Sequence, residues 1–353
     1  MKIRFHTCDN QFIQIISINT IFEIYENENN AKLFSLSFET INCSGFSKLS
    51  IFEIQKLRLI QAKSTTTGIE FININSLKLN IRSTDFDMFS SIAKDIGMKF
   101  QTFRKEESKS RIKHSTTFFL QNFLIKLIQE DLLLCTINFD KIRLKNFLQE
   151  DKSQTTSFTI KSLNSIQEIV NDKFRNLFET TKTPLFKMYI DKTSTIMKCP
   201  VIKILEVQVS TFNLRIPIPF IKQLIKIFPS AESFKVFDLD SMADDDDTPS
   251  IIENKIDDSE ASNAMFCQEF IFHQFCSSLS IRRKEQGGAF SDFLDRPFQY
   301  QGLHFFDVFG TQDQLLTFVK KNLKWTVLKT FTKLVFSKKT KNNKDDEIQS
   351  FPN

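Results

Sequence analysis

The triplet Ile13-x-x-Ile16-x-Ile18 is followed by Leu33-x-x-Leu36-x-Phe38, Ile54-x-x-Leu57-x-Leu59 and Ile74-x-x-Leu77-x-Leu79, in steps of 20, 21 and 20 residues. A fixed period near 20 strongly constrains the fold, because each repeat must bury the same short apolar segment in the same way. A solenoid does this by stacking one strand per turn on its neighbour. At 41% hydrophobic residues, a single such triplet arises by chance about once in 15 starts, so the spacing carries the signal. Ile51 also maps onto Phe71 at the offset that carries Ile54 onto Ile74.

Beyond Leu79 the pattern alternates between strand-like and helix-like segments. Phe86, Phe89, Ile92, Ala93 and Ile96 fit one helical face behind the N-cap candidates Ser83, Thr84 and Asp85. Residues 118–129 form a very apolar run that reads as a helix, and 132–139 reads as a strand. Leu163, Ile166, Ile169, Val170, Phe174, Leu177 and Phe178 form a second helical stripe. Pro217 and Pro219 open a third helix through Phe220, Ile221, Leu224, Ile225 and Phe228, as proline is tolerated in a first turn. Thr311-x-x-Gln314 has the form of a capping box ahead of Leu315, Leu316, Val319 and Leu323.

Strands are expected at 158–160, 185–190, 202–209 and 234–239, and the triplet returns at Cys276, Tyr300 and Phe331. The chain holds only 7 Gly and 8 Pro, which argues for few tight hairpins and against an all-antiparallel sandwich. The expected class is therefore α/β: an irregular leucine-rich-repeat-like solenoid with parallel strands and intervening helices. Residues 1–239 form its repeat-like body and 265–336 its continuation. The stretch 240–264, with Asp244 to Asp247, reads as an acidic disordered insertion, and 337–353 as a polar basic tail.

Net charge is +5, weak for a nucleic-acid binder. The 6 cysteines are scattered without a C-x-x-C, so free thiols and a cytoplasmic or nuclear location are expected. No signal peptide is read at the N-terminus, and no run of 18 apolar residues suggests a membrane span.

No phosphate-binding glycine loop, nucleophile elbow or H-E-x-x-H motif is present, and there are 4 histidines in all. The reading is not an enzyme, with no cofactor. Cys267, His273, Cys276 and His304 include zinc-type donors, yet their spacing fits no standard zinc motif, so packing is expected and metal is not. Asp244 to Asp247 lack the alternating ligands and glycine of a calcium loop.

The triplets resemble the strand portion of leucine-rich repeats. Residues 201–239, with Phe228, Pro229, Glu232, Phe234 and Val236 in an "fP-x-x-E-x-L-x-L" stretch, resemble the degenerate repeats of F-box-associated regions. The resemblance implies a curved, parallel-stranded binding module, and in that family the role is often substrate capture for a cullin-type ubiquitin ligase. No F-box is read in the sequence, so the expectation is a protein-binding scaffold or adaptor.

Alternation alone places Ser35, Ser37, Gln55, Lys56, Arg58, Asn75, Lys78 and Asn80 on its recognition face. The alternative is peripheral binding to nucleic acid or anionic membrane through a basic patch of Lys320, Lys321, Lys324, Lys329 and Lys333.

Overall fold

The structure, a computed structural model, describes residues 2–6, 12–26, 32–44, 50–64, 67–82, 113–129, 132–169, 174–196, 199–218, 264–282 and 293–311. Isolated positions 220, 221, 224, 314, 317 and 321 are also described. Almost all of these residues are extended.

Six strands open the chain: β1 (Lys2–His6), β2 (Phe12–Ile18), β3 (Ile21–Glu26), β4 (Lys32–Ser44), β5 (Ser50–Lys63) and β6 (Thr67–Arg82). Next come β7 (Lys113–Gln129), β8 (Leu132–Leu148), β9 (Gln154–Gln167), β10 (Asn176–Thr180), β11 (Phe186–Ile196), β12 (Cys199–Val209) and β13 (Phe212–Pro217). The last four are β14 (Ala264–Phe272), β15 (Phe275–Arg282), β16 (Phe293–Tyr300) and β17 (Leu303–Thr311). All 17 belong to one hydrogen-bonded sheet.

This overturns the α/β solenoid. Neighbouring strands are mostly antiparallel, and parallel pairing occurs only at β6–β7, β12–β14 and β13–β15 among the described strands. Residues 118–129 lie in β7, hydrogen-bonded along its length to β6 on one side and β8 on the other. A run this uniformly apolar has no period by which helix and strand can be told apart, and pairing on both sides decides for strand. Of the expected helical stripe, Leu163 and Ile166 fall on the end of β9 and Leu177 and Phe178 on β10, Ile169 and Phe174 lie between the two strands, and Val170 is outside the described residues.

Two expected helices have helical residues where the structure describes them, at Ile218, Phe220, Ile221 and Leu224 and at Gln314, Thr317 and Lys321. The Thr311 capping box forms: Thr311 N–H donates to Gln314 Oε1 at 2.8 Å, and Gln314 N–H to Thr311 Oγ1 at 3.3 Å. Residues 83–99, 234–239, 240–263 and 322–353 lie outside the described residues, and with them the first expected helix, the acidic insertion and the tail.

Scarcity of glycine and proline did not prevent antiparallel pairing. The β8–β9 turn closes with Gln149 N–H donating to Ser153 O at 2.9 Å, while Lys152 takes a left-handed φ of 66°. Asp151 Oδ1 accepts from Ser153 N–H at 2.8 Å. A short acidic side chain thus supplies the turn chemistry that glycine would otherwise provide.

One irregularity crosses the whole sheet. On one line across β4 to β9 one residue of each strand drops out of the ladder: Glu39, Lys56, Asn75, Gln121, Lys141 and Lys161. At Lys56 and Lys141 the backbone is left-handed, with φ of 53° and 52°. Beyond β9 the same line becomes a gap between two half-length strands placed end to end. β10 and β11 both pair β9, and Leu185 N–H donates to Lys161 O at 2.8 Å within that gap. Pairs β12/β13 and β14/β15 continue the break, where His273 N–H donates to Val207 O at 2.9 Å. The sheet is therefore two half-sheets joined along a crease that runs across its strands.

Candidate functional site: an apolar face two half-sheets wide

Residues directly opposite one another in neighbouring strands share a face. One such row reads Phe22, Leu36, Leu59, Ile72, Phe118, Leu144, Phe158, Met188, Val207, Phe272 and Leu303. All eleven are apolar in a chain that is 41% hydrophobic, so the row is selected rather than accidental. The next row toward the crease is Phe38, Leu57, Ile74, Leu120, Ile142, Ile160, Phe186 and Val209. Across the crease stand Ile41, Ile54, Leu77, Phe123, Phe139 and Leu163, with the Phe123 and Phe139 rings stacked at 5.6 Å. A fourth row runs Phe52, Leu79, Ile125, Ile137, Ser165, Phe178, Leu214 and Leu279.

Aromatic contacts show that the rows of both half-sheets lie on the same side. Phe272 ends a row of one half and Phe275 begins the other, and their rings are 6.3 Å apart. Both pack on Tyr300, at 5.1 and 5.3 Å. Phe275 continues to Phe212 and thence to Phe178. The residue lost at the crease resets the alternation of each strand, so the apolar pattern moves from one parity to the other without changing sides. Tyr300 is buried to 1% exposure and its hydroxyl has no hydrogen-bond partner among the described residues. Burial pushes its phenol up to about 12.

The opposite side is mixed and more polar, with Ile60, Phe71, Tyr189 and Ile271 among Ser35, Thr117, Lys145, Ser157 and Glu206 in one row. Ser37, Arg58, Asn73, Phe119, Arg143, Thr159, Lys187 and Gln208 form one of its rows, with Arg143 stacked over the Phe119 ring at 5.6 Å. Across the crease Glu53 pairs Lys78 at 4.0 Å, and Glu179 pairs Arg215 at 3.4 Å.

The residues chosen by alternation divide between two places. Ser35, Ser37, Arg58, Lys78 and Asn80 lie on this polar side, whereas Gln55, Lys56 and Asn75 sit at the crease. Of the basic patch, Lys321 is described, at a helical, exposed position. Lys320, Lys324, Lys329 and Lys333 lie outside the described residues.

The zinc-type donors are engaged elsewhere. His273 Nε2 is 2.7 Å from Glu206 Oε1 and His304 Nε2 is 2.9 Å from Glu269 Oε1. Cys267 is fully buried, and burial raises its thiol above the ordinary range; Cys276 is exposed. Among the described residues no group of three or more such side chains is placed to hold a metal. A hollow of about 300 Å³ near the β3–β4 end is lined by Tyr25, Leu33, Ile69, Glu26, Lys32 and Lys63 among others. Glu26 and Lys32 pair at 3.1 Å, and no histidine or cysteine lines it.

What covers the apolar face among the described residues is small. Phe220, Ile221 and Leu224 pack over Leu134, Cys135, Ile81, Leu127 and Ile137 at one end. Ile74 and Leu120 are buried, but most of the first two rows remain half-buried, and Phe22 is exposed.

With strands about 4.8 Å apart and alternate residues about 6.8 Å apart, the four rows, the longest crossing eleven strands, reach about 50 by 20 Å at their widest. That footprint is on the order of 1,000 Å²; Phe22 is its exposed member and the other residues of the rows are half-buried or buried. Beyond the first row the same side turns polar at Gln61, Glu70, Thr116, Asn146 and Thr156. Thr116 donates to Glu70 at 3.4 Å, and Asn146 Oδ1 accepts from Gln154 at 2.7 Å and Thr156 at 3.1 Å.

No helix of the described residues is long and apolar enough to cross a membrane. Scanned against protein-family models and against curated proteins, the sequence matches none.

Proposed function

We propose that the protein has a binding rather than a catalytic role, and that its creased apolar face holds the hydrocarbon chains of lipids. The observation that carries this is the unbroken row from Phe22 to Leu303, largely half-buried and bordered over β5 to β9 by polar residues, while Ile24, Phe34, Ile190, Leu205, Phe270 and Phe305 carry the apolar side further on the other strands. A protein partner of this footprint would call for about one hydrogen bond per 100–200 Å². The first two rows offer no polar side chain over eight strands. A small-molecule site is a concave pocket with a few convergent polar groups, and a band some 50 Å long with none is not of that kind.

Hydrocarbon asks only for area, at about 0.8 kcal/mol per buried methylene. The Gln61–Glu70–Thr116–Asn146–Thr156 row gives the polar end of an amphiphile somewhere to remain hydrated. The protein-scaffold and ubiquitin-ligase readings rest on the repeat resemblance; the basic-patch reading rests on lysines of which Lys321 alone is described.

Titration of the full chain with a fluorescent long-chain fatty acid tests the proposal. Saturable binding with micromolar or tighter affinity, at more than one chain per protein, is the expected result. Binding no stronger than to a control protein of equal surface would overturn it.

A further inference from the structure

The first rungs of the sheet form a step. β2 and β3 lie in line along β4, β2 pairing residues 40–44 and β3 pairing residues 32–37. β1 covers β2, but among the described residues no strand covers β3. Wherever else the sheet is split, both half-positions are filled: β10 with β11, β12 with β13, β14 with β15 and β16 with β17. Among the described residues, the position beside β3, in line with β1, is the vacant one.

The two ends of the sheet also differ in how they are guarded. At the far end, β16 carries Pro297 and a left-handed Asp295 (φ 45°), and β17 carries a left-handed Asp307 (φ 54°). Prolines, kinks and charges of this kind keep an edge from pairing with other chains. β3, with the sequence IFEIYE, has no proline, no lysine and no left-handed residue; its two charges are Glu23 and Glu26, and Glu26 is paired with Lys32 at 3.1 Å. Ile21, Phe22, Ile24 and Tyr25 on it are 56–62% exposed.

We infer that the occupant of this position is β3 of a second copy, paired antiparallel about a two-fold axis normal to the sheet. The step is self-complementary under that rotation. Each copy's β3 fills the other's vacancy, and each β1 then abuts the end of the partner strand rather than colliding with it. Because the axis is normal to the sheet, the two apolar faces stay on one side. Phe22 and Ile24, which continue the rows of Leu36 and Phe34, then meet their equivalents across the junction. The inference does not depend on what the apolar face binds.

Sedimentation velocity of the full chain at tens of micromolar tests it. The expected mass is twice the 41.2 kDa of the chain, and the double variant Phe22→Lys/Ile24→Lys is expected to sediment as a monomer with the circular dichroism of the wild type. Since both side chains are exposed, that variant should fold. Ile21→Lys/Tyr25→Lys, on the other side of the same strand, provides a second reading. A monomeric wild type would overturn the inference, as would a dimer that survives both double variants.

Discussion

Leu120→Asp is expected to unfold the protein or to lower its stability by more than about 4 kcal/mol, whereas Gln121→Asp should change it by less than about 0.5 kcal/mol. Leu120 is 3% exposed, flanked in its row by Ile74 from β6 and Ile142 from β8. A carboxylate there has no cation opposite it in the row and must either stay ionised in an apolar layer or take up a proton at high cost. Gln121 is exposed and sits at the crease, where the ladder is already interrupted. Thermal melts by circular dichroism would separate the two. Equal melting temperatures would mean that the row through Leu120 is not a buried layer.

The second large effect is on binding. Leu144→Glu is expected to weaken uptake of a fluorescent fatty acid about tenfold or more, as a charge in the row removes several methylene contacts worth about 0.8 kcal/mol each. Lys145→Glu should leave uptake within about twofold, because the neighbouring residue of a strand faces the other side. Leu144 is half-buried between Phe118 and Phe158, so a charged side chain can reach water and the fold should survive. Lys145 is exposed opposite Thr117 and Ser157. If the two variants bind equally, the apolar face is not where the chains lie.

Much of this sheet was present in the sequence as a pattern whose meaning pairing alone could supply. Ile54-x-x-Leu57 and Ile74-x-x-Leu77 straddle the crease: the two intervening residues are Gln55 and Lys56 in one strand and Asn75 and Ser76 in the next. Leu120-x-x-Phe123, Phe139-x-x-Ile142 and Ile160-x-x-Leu163 repeat the same shift of parity in β7, β8 and β9. A strand that keeps its apolar side after losing one residue to a kink must show apolar residues three apart.

The same spacing opens a leucine-rich repeat, and one sequence contains nothing that separates the two. The step of about 20 does not mark a solenoid coil: from Ile13 to Leu33 it spans β2 and β3, and β4, β5 and β6 begin at residues 32, 50 and 67. Antiparallel pairing was hidden because the β8–β9 turn uses Asp151, Lys152 and Ser153 in place of glycine. The residues read from alternation are divided between two places for a related reason. Within Gln55, Lys56 and Arg58 the kink changes parity, so residues assigned to one face belong partly to the crease and partly to the polar side. The Phe272–Phe275–Tyr300 cluster, which joins the half-sheets, had no signal in the sequence beyond an abundance of phenylalanine.

Photo-crosslinking with a diazirine-bearing fatty acid, followed by mapping of the adducts by mass spectrometry, tests most directly that one side of the sheet holds hydrocarbon. Adducts are expected on Ile142 and Leu144 of β8 and on Phe158 and Ile160 of β9, with Arg143, Lys145 and Thr159 left unlabelled. Labelling spread evenly over both parities, or concentrated on the polar side, would contradict it.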